Sequence, residues 1–139
     1  MRLEEYLGKK RTLMVVKKVE FGVYLGTSED KVLLPARQVP RGVEVGDPVE
    51  VFLYRDSDDR LIATTQEPKI LLGEIRKLTV ADTDRVGAFL DWGLPKDLLL
   101  PFREQTKKVE KGEEILAALY VDKSGRLCAT MKLYDRLRQ

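Results

Sequence analysis

Two aspartates in this 139-residue chain each stand four positions before an arginine, Asp56 before Arg60 and Asp122 before Arg126, and the two pairs lie 66 positions apart. Such a pair can close on itself across a tight turn, which in an exposed setting contributes about 0 to 1 kcal/mol. It can also leave the planar guanidinium offering its fork of donors to another group. The spacing admits both. Phe21 and Tyr24 flank a glycine in "FGVY", and Phe89 follows another in "VGAF". Exposed rings could stack on a flat partner, whereas buried ones would fill the core of a small domain, and aromatic residues are only 7% of the chain. Strict alternation along a strand puts positions 21 and 24 on opposite faces, so bringing them together requires Gly22 to bend or bulge the strand.

Other chemistry is excluded or weakly supported. There is no histidine and Cys128 is the single cysteine, which removes an internal disulfide, Cys/His zinc sites and imidazole catalysis. "DSDDR" begins like a calcium loop, and Glu67 falls at its twelfth position, but Leu61 occupies the place of the sharp-turn glycine. Asp82 and Asp84 have no third ligand at a suitable spacing. No phosphate-binding glycine loop or nucleophile elbow is present. The expectation is a non-catalytic protein with no cofactor, no metal and no small-molecule substrate. "MRLEEYLGKK" lacks a signal-peptide core and no apolar run reaches membrane-spanning length, so no membrane partner and a cytoplasmic location are expected. Net charge is only +2 while charged residues make up 35%. The basic clusters "GKKR" at 8–11, Lys17-Lys18, Arg76-Lys77 and Lys107-Lys108 taken singly read as solvated faces. Cys128 reads as a small core residue.

The aspartate–arginine pairs belong to a repeat. "VFLYRDSDDRLIATT" at 51–65 and "AALYVDKSGRLCATM" at 117–131 share seven of fifteen positions. Pro35 maps onto Pro101 and Gly46 onto Gly112 with the same shift, while Leu7-Gly8 and "FGVYL" map onto Leu72-Gly73 and "VGAFL" with a shift of 65. One residue has therefore entered the second copy, in the loop "DWGLPKD". Two such copies predict two small domains, 1–66 and 67–139, the second ending in a short C-terminal tail, with the boundary near Glu67 and Pro68.

Each copy reads as five short strands. In the first they are "TLMVVKKV", "FGVYL", "KVLLP", "PVEVFLY" and "RLIATT"; the fourth alternates Val49, Val51 and Leu53 with Glu50, Phe52 and Tyr54. "DSDD" and "DKSG" are the last turns, with Gly125 able to adopt positive φ. The polar stretches "ARQVPRGVEVG" and "FREQTKKVEKG" leave room for one helical turn. The fold class predicted is all-β, two tandem five-stranded barrels whose closure removes exposed edges. Trp92, alone in its loop, reads best as an anchor between the two domains, ahead of a stacking platform or a lid.

A glycine opening strand one, aromatic-Gly-x-aromatic in strand two, "LLLP" in strand three, Gly-Asp before strand four and Asp-x-x-x-Arg across the last hairpin together resemble the S1 RNA-binding domain, an OB-fold. "DWGLPKDLLLP" followed by "LYVDKSGRLCATM" is similar to the bacterial CvfB family (conserved virulence factor B). The resemblance implies the N-terminal pair of S1-like domains of a longer protein carrying a further S1 domain and a winged helix. It implies single-stranded RNA as partner, with weak sequence preference and a role in post-transcriptional gene regulation. The residues it implies for RNA contact are Phe21, Tyr24, Asp56 and Arg60 in the first copy and Phe89, Asp122 and Arg126 in the second. Val86 stands where the second copy's first aromatic belongs, and Pro35 and Pro101 stand where the family has a histidine. The alternative is an OB-fold module that has lost nucleic-acid binding and serves a protein partner.

Overall fold

The computed structural model describes residues 2–134 and divides into two compact units, Met1–Gln66 and Glu67–Gln139. Residues 135–139, the end of the expected C-terminal tail, lie outside the described residues. The first unit contains β1 (Lys10–Val19), β2 (Gly22–Gly26), β3 (Lys31–Pro35), β4 (Pro48–Arg55) and β5 (Leu61–Thr64). The second contains β6 (Ile75–Asp84), β7 (Gly87–Asp91), β8 (Leu98–Pro101), β9 (Glu114–Val121) and β10 (Leu127–Thr130). The all-β class and the five strands per copy are as the sequence predicts.

In the first unit the strands close a barrel in the order β1-β2-β3-β5-β4, the ring being completed by the parallel pairing of Leu33 with Ile62. In the second unit the order is β10-β9-β6-β7-β8. There β8 and β10 lie side by side, and no ladder joins them among the described residues. A one-turn 3-10 helix follows the third strand of each copy, at Ala36–Gln38 and Phe102–Glu104. Each fastens the last strand. Buried Thr64 donates to Gln38 Oε1 at 3.0 Å, and buried Thr130 donates to Glu104 Oε1 at 2.6 Å, so a buried hydroxyl is satisfied while the seam is pinned.

Inward positions follow the period of two. Leu13, Val15, Val23, Leu25, Val32, Leu34, Val49, Val51 and Leu53 all lie in the first core. The outer face of β4 is not simply polar, however: Glu50 is exposed, but Phe52 and Tyr54 are buried with their rings stacked at 6.3 Å. The sequence reading also missed Leu3, which a 3-10 turn at Leu3–Tyr6 inserts fully buried into the core. Burying such a side chain contributes about 1.5 to 3 kcal/mol.

One device in the first strand of each copy decides which side chains reach the outer face. The β1–β2 register slips between Val15 and Lys17, and the β6–β7 register slips between Val80 and Asp82. Alternation from Leu13 and Val15 would aim Lys17 at the core. The extra residue, Val16, turns Lys17 outward opposite Tyr24. Ala81 does the same for Asp82, opposite Phe89.

Candidate functional site

The outer face of β2 and β3 carries the aromatic candidates. Phe21 lies in the turn before β2 rather than in the strand, which corrects the expectation that both rings occupy one strand and need Gly22 to bulge it. Phe21 and Tyr24 nevertheless converge, edge to face, with ring centroids 6.3 Å apart. Phe21 is 57% exposed and Tyr24 half-buried, so Phe21 is a surface residue and the core reading does not apply to it. Gly22 is required for a different reason. Its φ is +150°, and a Cβ there would stand 2.2 Å from the Leu34 carbonyl oxygen. Gly87 repeats this at φ +149° and 2.4 Å from the Leu100 carbonyl. The glycine lets β3 or β8 approach the start of the second strand.

Residues opposite one another in a ladder share a face. Lys17, Tyr24 and Leu33 therefore form one outward row. Lys31 reaches over Tyr24, its Nζ 5.9 Å from the ring centroid, at the outer limit of a cation–π contact. Two aromatic rings thus share this face with Lys17, and the Lys31 ammonium reaches over one of them. Sequence reasoning had noted Lys17 only as part of a cluster and had missed Lys31; both depend on the register and on the Val16 bulge.

The equivalent row in the second unit is Asp82, Phe89 and Leu99. Val86 replaces Phe21 and is 58% exposed. Asp97, directly before β8, replaces Lys31, directly at the start of β3. Partial desolvation and then the charges of Asp91 and Asp82 raise the Asp97 pKa above the usual carboxylate value. Asp91 itself pairs with Lys69 at 3.0 Å, and that hydrogen bond holds its pKa low. The aromatic face is cationic in the first unit and anionic in the second.

The two hairpins share one backbone design. Asp59 N–H donates to the Asp56 carbonyl at 2.9 Å, and Gly125 N–H to the Asp122 carbonyl at 3.0 Å. Asp59 has φ +60° and Gly125 φ +85°. In each turn the leading aspartate Oδ1 accepts two backbone N–H groups, from Asp58 and Arg60 in the first and from Ser124 and Arg126 in the second. Arg60 Nε donates to Asp56 at 3.2 Å and its Nη2 to Asp58 at 3.2 Å, so the first arginine is braced between two carboxylates. Arg126 Nε instead donates to Ser124 Oγ at 3.1 Å and lies 3.5 Å from Asp122. Burial pushes the Asp122 pKa up, but hydrogen bonds from Ser124 and Arg126 outweigh it and the pKa falls to about 2. Asp56 is lowered by the corresponding bonds acting against burial. Both aspartates spend their lone pairs on the turn.

Cys128 is buried, opposite Tyr120 in the ladder, with its thiol 3.6 Å from Asp122 Oδ2. Burial and that carboxylate push the thiol up to about 11, so it is an inert small side chain as expected. Trp92 is only 2% exposed, and its indole N–H donates to the Lys96 carbonyl at 2.5 Å, closing the loop that contains the inserted residue. Among the described residues no helix is long and apolar enough to cross a membrane.

The S1 domain matches residues 7–66 and 72–132. YitL of Bacillus subtilis is 35% identical over 128 residues, covering 88% of this chain and 43% of that protein. Conserved virulence factor B of Staphylococcus saprophyticus is 28% identical over 93 residues, covering 64% of this chain and 31% of that protein. The resemblance to the CvfB family is borne out in these relatives, and the chain spans less than half of their length. A multidomain protein with nucleic acid binding domains from Streptococcus pneumoniae superimposes with a TM-score of 0.78 at 20% identity, over 96% of this chain and 48% of its own; at that identity the match speaks to fold. With both copies of the repeat matched, the chain belongs to the S1 domain family.

Proposed function

We propose that this chain is a non-catalytic RNA-binding module, and that the first unit holds single-stranded RNA on its β2–β3 face. One observation carries the reading: the edge-to-face pair Phe21–Tyr24, partly open to solvent, sits on the same outer face as Lys17 and beneath Lys31. Single strands are held by rings that stack on bases within a cationic surface that follows the phosphates. Duplexes offer no free base faces, so the arrangement favours single strands. Stacking on ring faces reads no base edge, which fits weak sequence preference. Asp56 serves the turn, and Arg60, shared between Asp56 and Asp58, braces the hairpin. The S1 family membership and the nucleic acid binding domains named in the streptococcal protein support the same class of partner. Post-transcriptional regulation would follow from such binding in the longer relatives.

The test is fluorescence anisotropy of a labelled single strand of about 12 nucleotides, titrated at several salt concentrations beside matched DNA and duplex RNA. Tyr24→Ala should cost about 1 to 3 kcal/mol of affinity, the range for one lost stacking platform. Lys31→Gln should lower the salt slope by about 0.7, the value for one phosphate contact on a single strand. Absence of binding at low salt would overturn the reading and direct attention to a protein partner.

A further inference from the structure

Three charges reverse between the copies around the outer face of the second and third strands. Lys17 aligns with Asp82, Glu20 with Arg85 and Lys31 with Asp97. All six residues are exposed. Lys17 and Asp82 hold the same outward position, opposite Tyr24 and Phe89. Glu20 and Arg85 stand in the turn before the second strand of each copy, next in sequence to exposed Phe21 and Val86. Lys31 begins the third strand of its copy and Asp97 directly precedes the third strand of the other.

The fold leaves these charges uncompensated. Their neighbours pair within the chain, Lys18 with Glu44 at 3.2 Å and Asp91 with Lys69 at 3.0 Å. None of the six has an ion-pair partner among the described residues. Asp82 Oδ1 accepts the Thr83 N–H at 2.9 Å, and Lys31 Nζ donates to the Ser28 carbonyl at 3.3 Å; both bonds go to backbone and cancel no charge. Asp97 is burdened by partial desolvation and by Asp91 and Asp82, and a cation from outside the chain would relieve it. Between the charges each face is apolar, with Phe21, Tyr24 and Leu33 in the first unit and Val86, Phe89 and Leu99 in the second. An apolar centre rimmed by charge is the anatomy of a protein interface.

We infer that this chain self-associates by packing the Phe21–Tyr24 face of one copy on the Phe89 face of a second copy. The signs select that pairing. Two first-unit faces would set lysines against lysines, and two second-unit faces aspartates against aspartates, and like-charge contacts of this kind are strongly disfavoured. A first-unit face on a second-unit face sets Lys17 and Lys31 against Asp82 and Asp97, with Glu20 and Arg85 as the oppositely signed pair at the edge. Each copy carries one face of each kind, so the contact either forms twice and closes a two-fold pair or continues head to tail. It covers the rings offered to RNA, so RNA and the second copy exclude each other; that consequence alone rests on the function proposed above.

The test is sedimentation equilibrium of the 139-residue chain without RNA, at about 0.01 M and about 0.15 M salt. A mass of twice one copy or more is expected at low salt, with a fall toward one copy as salt screens the rim. Asp82→Lys/Asp97→Lys makes both faces cationic, and Lys17→Asp/Lys31→Asp makes both anionic. Each variant alone should sediment as a single copy, and their one-to-one mixture should regain the doubled mass. That recovery requires both variants to be folded, so damage cannot imitate it. The milder Asp82→Asn/Asp97→Asn should also lose the association. A parent chain of single-copy mass at low salt overturns the inference. Variants that associate alone as the parent does, or a mixture that fails to recover, would place the association on another surface and overturn it as well. With RNA absent throughout, either failure leaves the first-unit reading standing, and that reading can fail in the anisotropy titration while the copies still associate.

Discussion

The two units share a backbone and differ in the charge it displays. Gly22 and Gly87 have the same φ and the same close approach to a carbonyl, Val16 and Ala81 the same slip in register, and Asp56 and Asp122 the same two backbone bonds. Thr64 and Thr130 pin the same seam. Around this frame, Lys17 has become Asp82, Lys31 Asp97 and Ser57 Lys123. Residues that the backbone geometry requires are repeated, whereas outward residues carry no such constraint and have diverged in sign. The lesson is that a shared fold places the possible site, and its charge decides what can occupy it.

The largest effect should fall on the shared frame and be equal in both copies. Gly22→Ala and Gly87→Ala each force a Cβ into a backbone carbonyl at a φ that disfavours it, at a cost of about 2 to 3 kcal/mol. Urea unfolding measures this. Unequal losses would show that the two second strands are not held in the same way.

Next come the two hairpin aspartates, where the frame is shared but the environment is not. Asp122 has a folded pKa of about 2 against an ordinary value of 3.8. A depressed carboxyl contributes stability that is fully present above its unfolded pKa and is lost as pH falls toward the folded value. Asp122→Ala should therefore cost about 2 kcal/mol at neutral pH, and the gap to the parent chain should close between about pH 4 and pH 2. Asp56 is more exposed and lowered less, so Asp56→Ala should show the same sign and a smaller cost. Thermal unfolding across that pH range distinguishes them, and equal losses would remove the claimed difference between the turns.

The frame was legible in the sequence because it repeats. Glycines at forced dihedrals, Asp-x-x-x-Arg and Ala-Thr recur at fixed spacing, and they located the strands, the turns and the class. The site was legible only in part. Phe21, Tyr24 and Phe89 could be named, but the pairing of Lys17 with Tyr24 depends on a bulge at Val16 that alternation does not reveal. Lys31 meets the Tyr24 ring through strand register; the shift of 66 pairs Lys31 with Asp97 in the sequence, but not with the ring it covers. Leu3 sits in a 3-10 turn too short to show a period. Residue type marks Trp92 as an anchor but does not reveal the hydrogen bond from its indole to the Lys96 carbonyl inside its own loop.

The smallest expected effect is also the sharpest probe of the inverted face, because it reverses the sign seen at Asp122. Asp97 has its pKa raised by desolvation and by Asp91 and Asp82. A raised carboxyl binds its proton more tightly when folded, so its charge destabilises the fold above the folded pKa, and the penalty disappears once acid neutralises it. Asp97→Asn should stabilise the chain slightly at neutral pH, within about 0.5 kcal/mol because solvent screens the exposed group. That advantage should vanish in acid, where the Asp122→Ala penalty vanishes too, so the two variants approach the parent chain from opposite sides. If phosphate is excluded from this face by charge, the same substitution should also tighten RNA modestly at neutral pH and weaken the rise in affinity on mild acidification. A neutral substitution that leaves both stability and RNA affinity unchanged at every pH would mean that Asp97 does not govern the face, and that the contrast between the units rests on the missing aromatic at Val86.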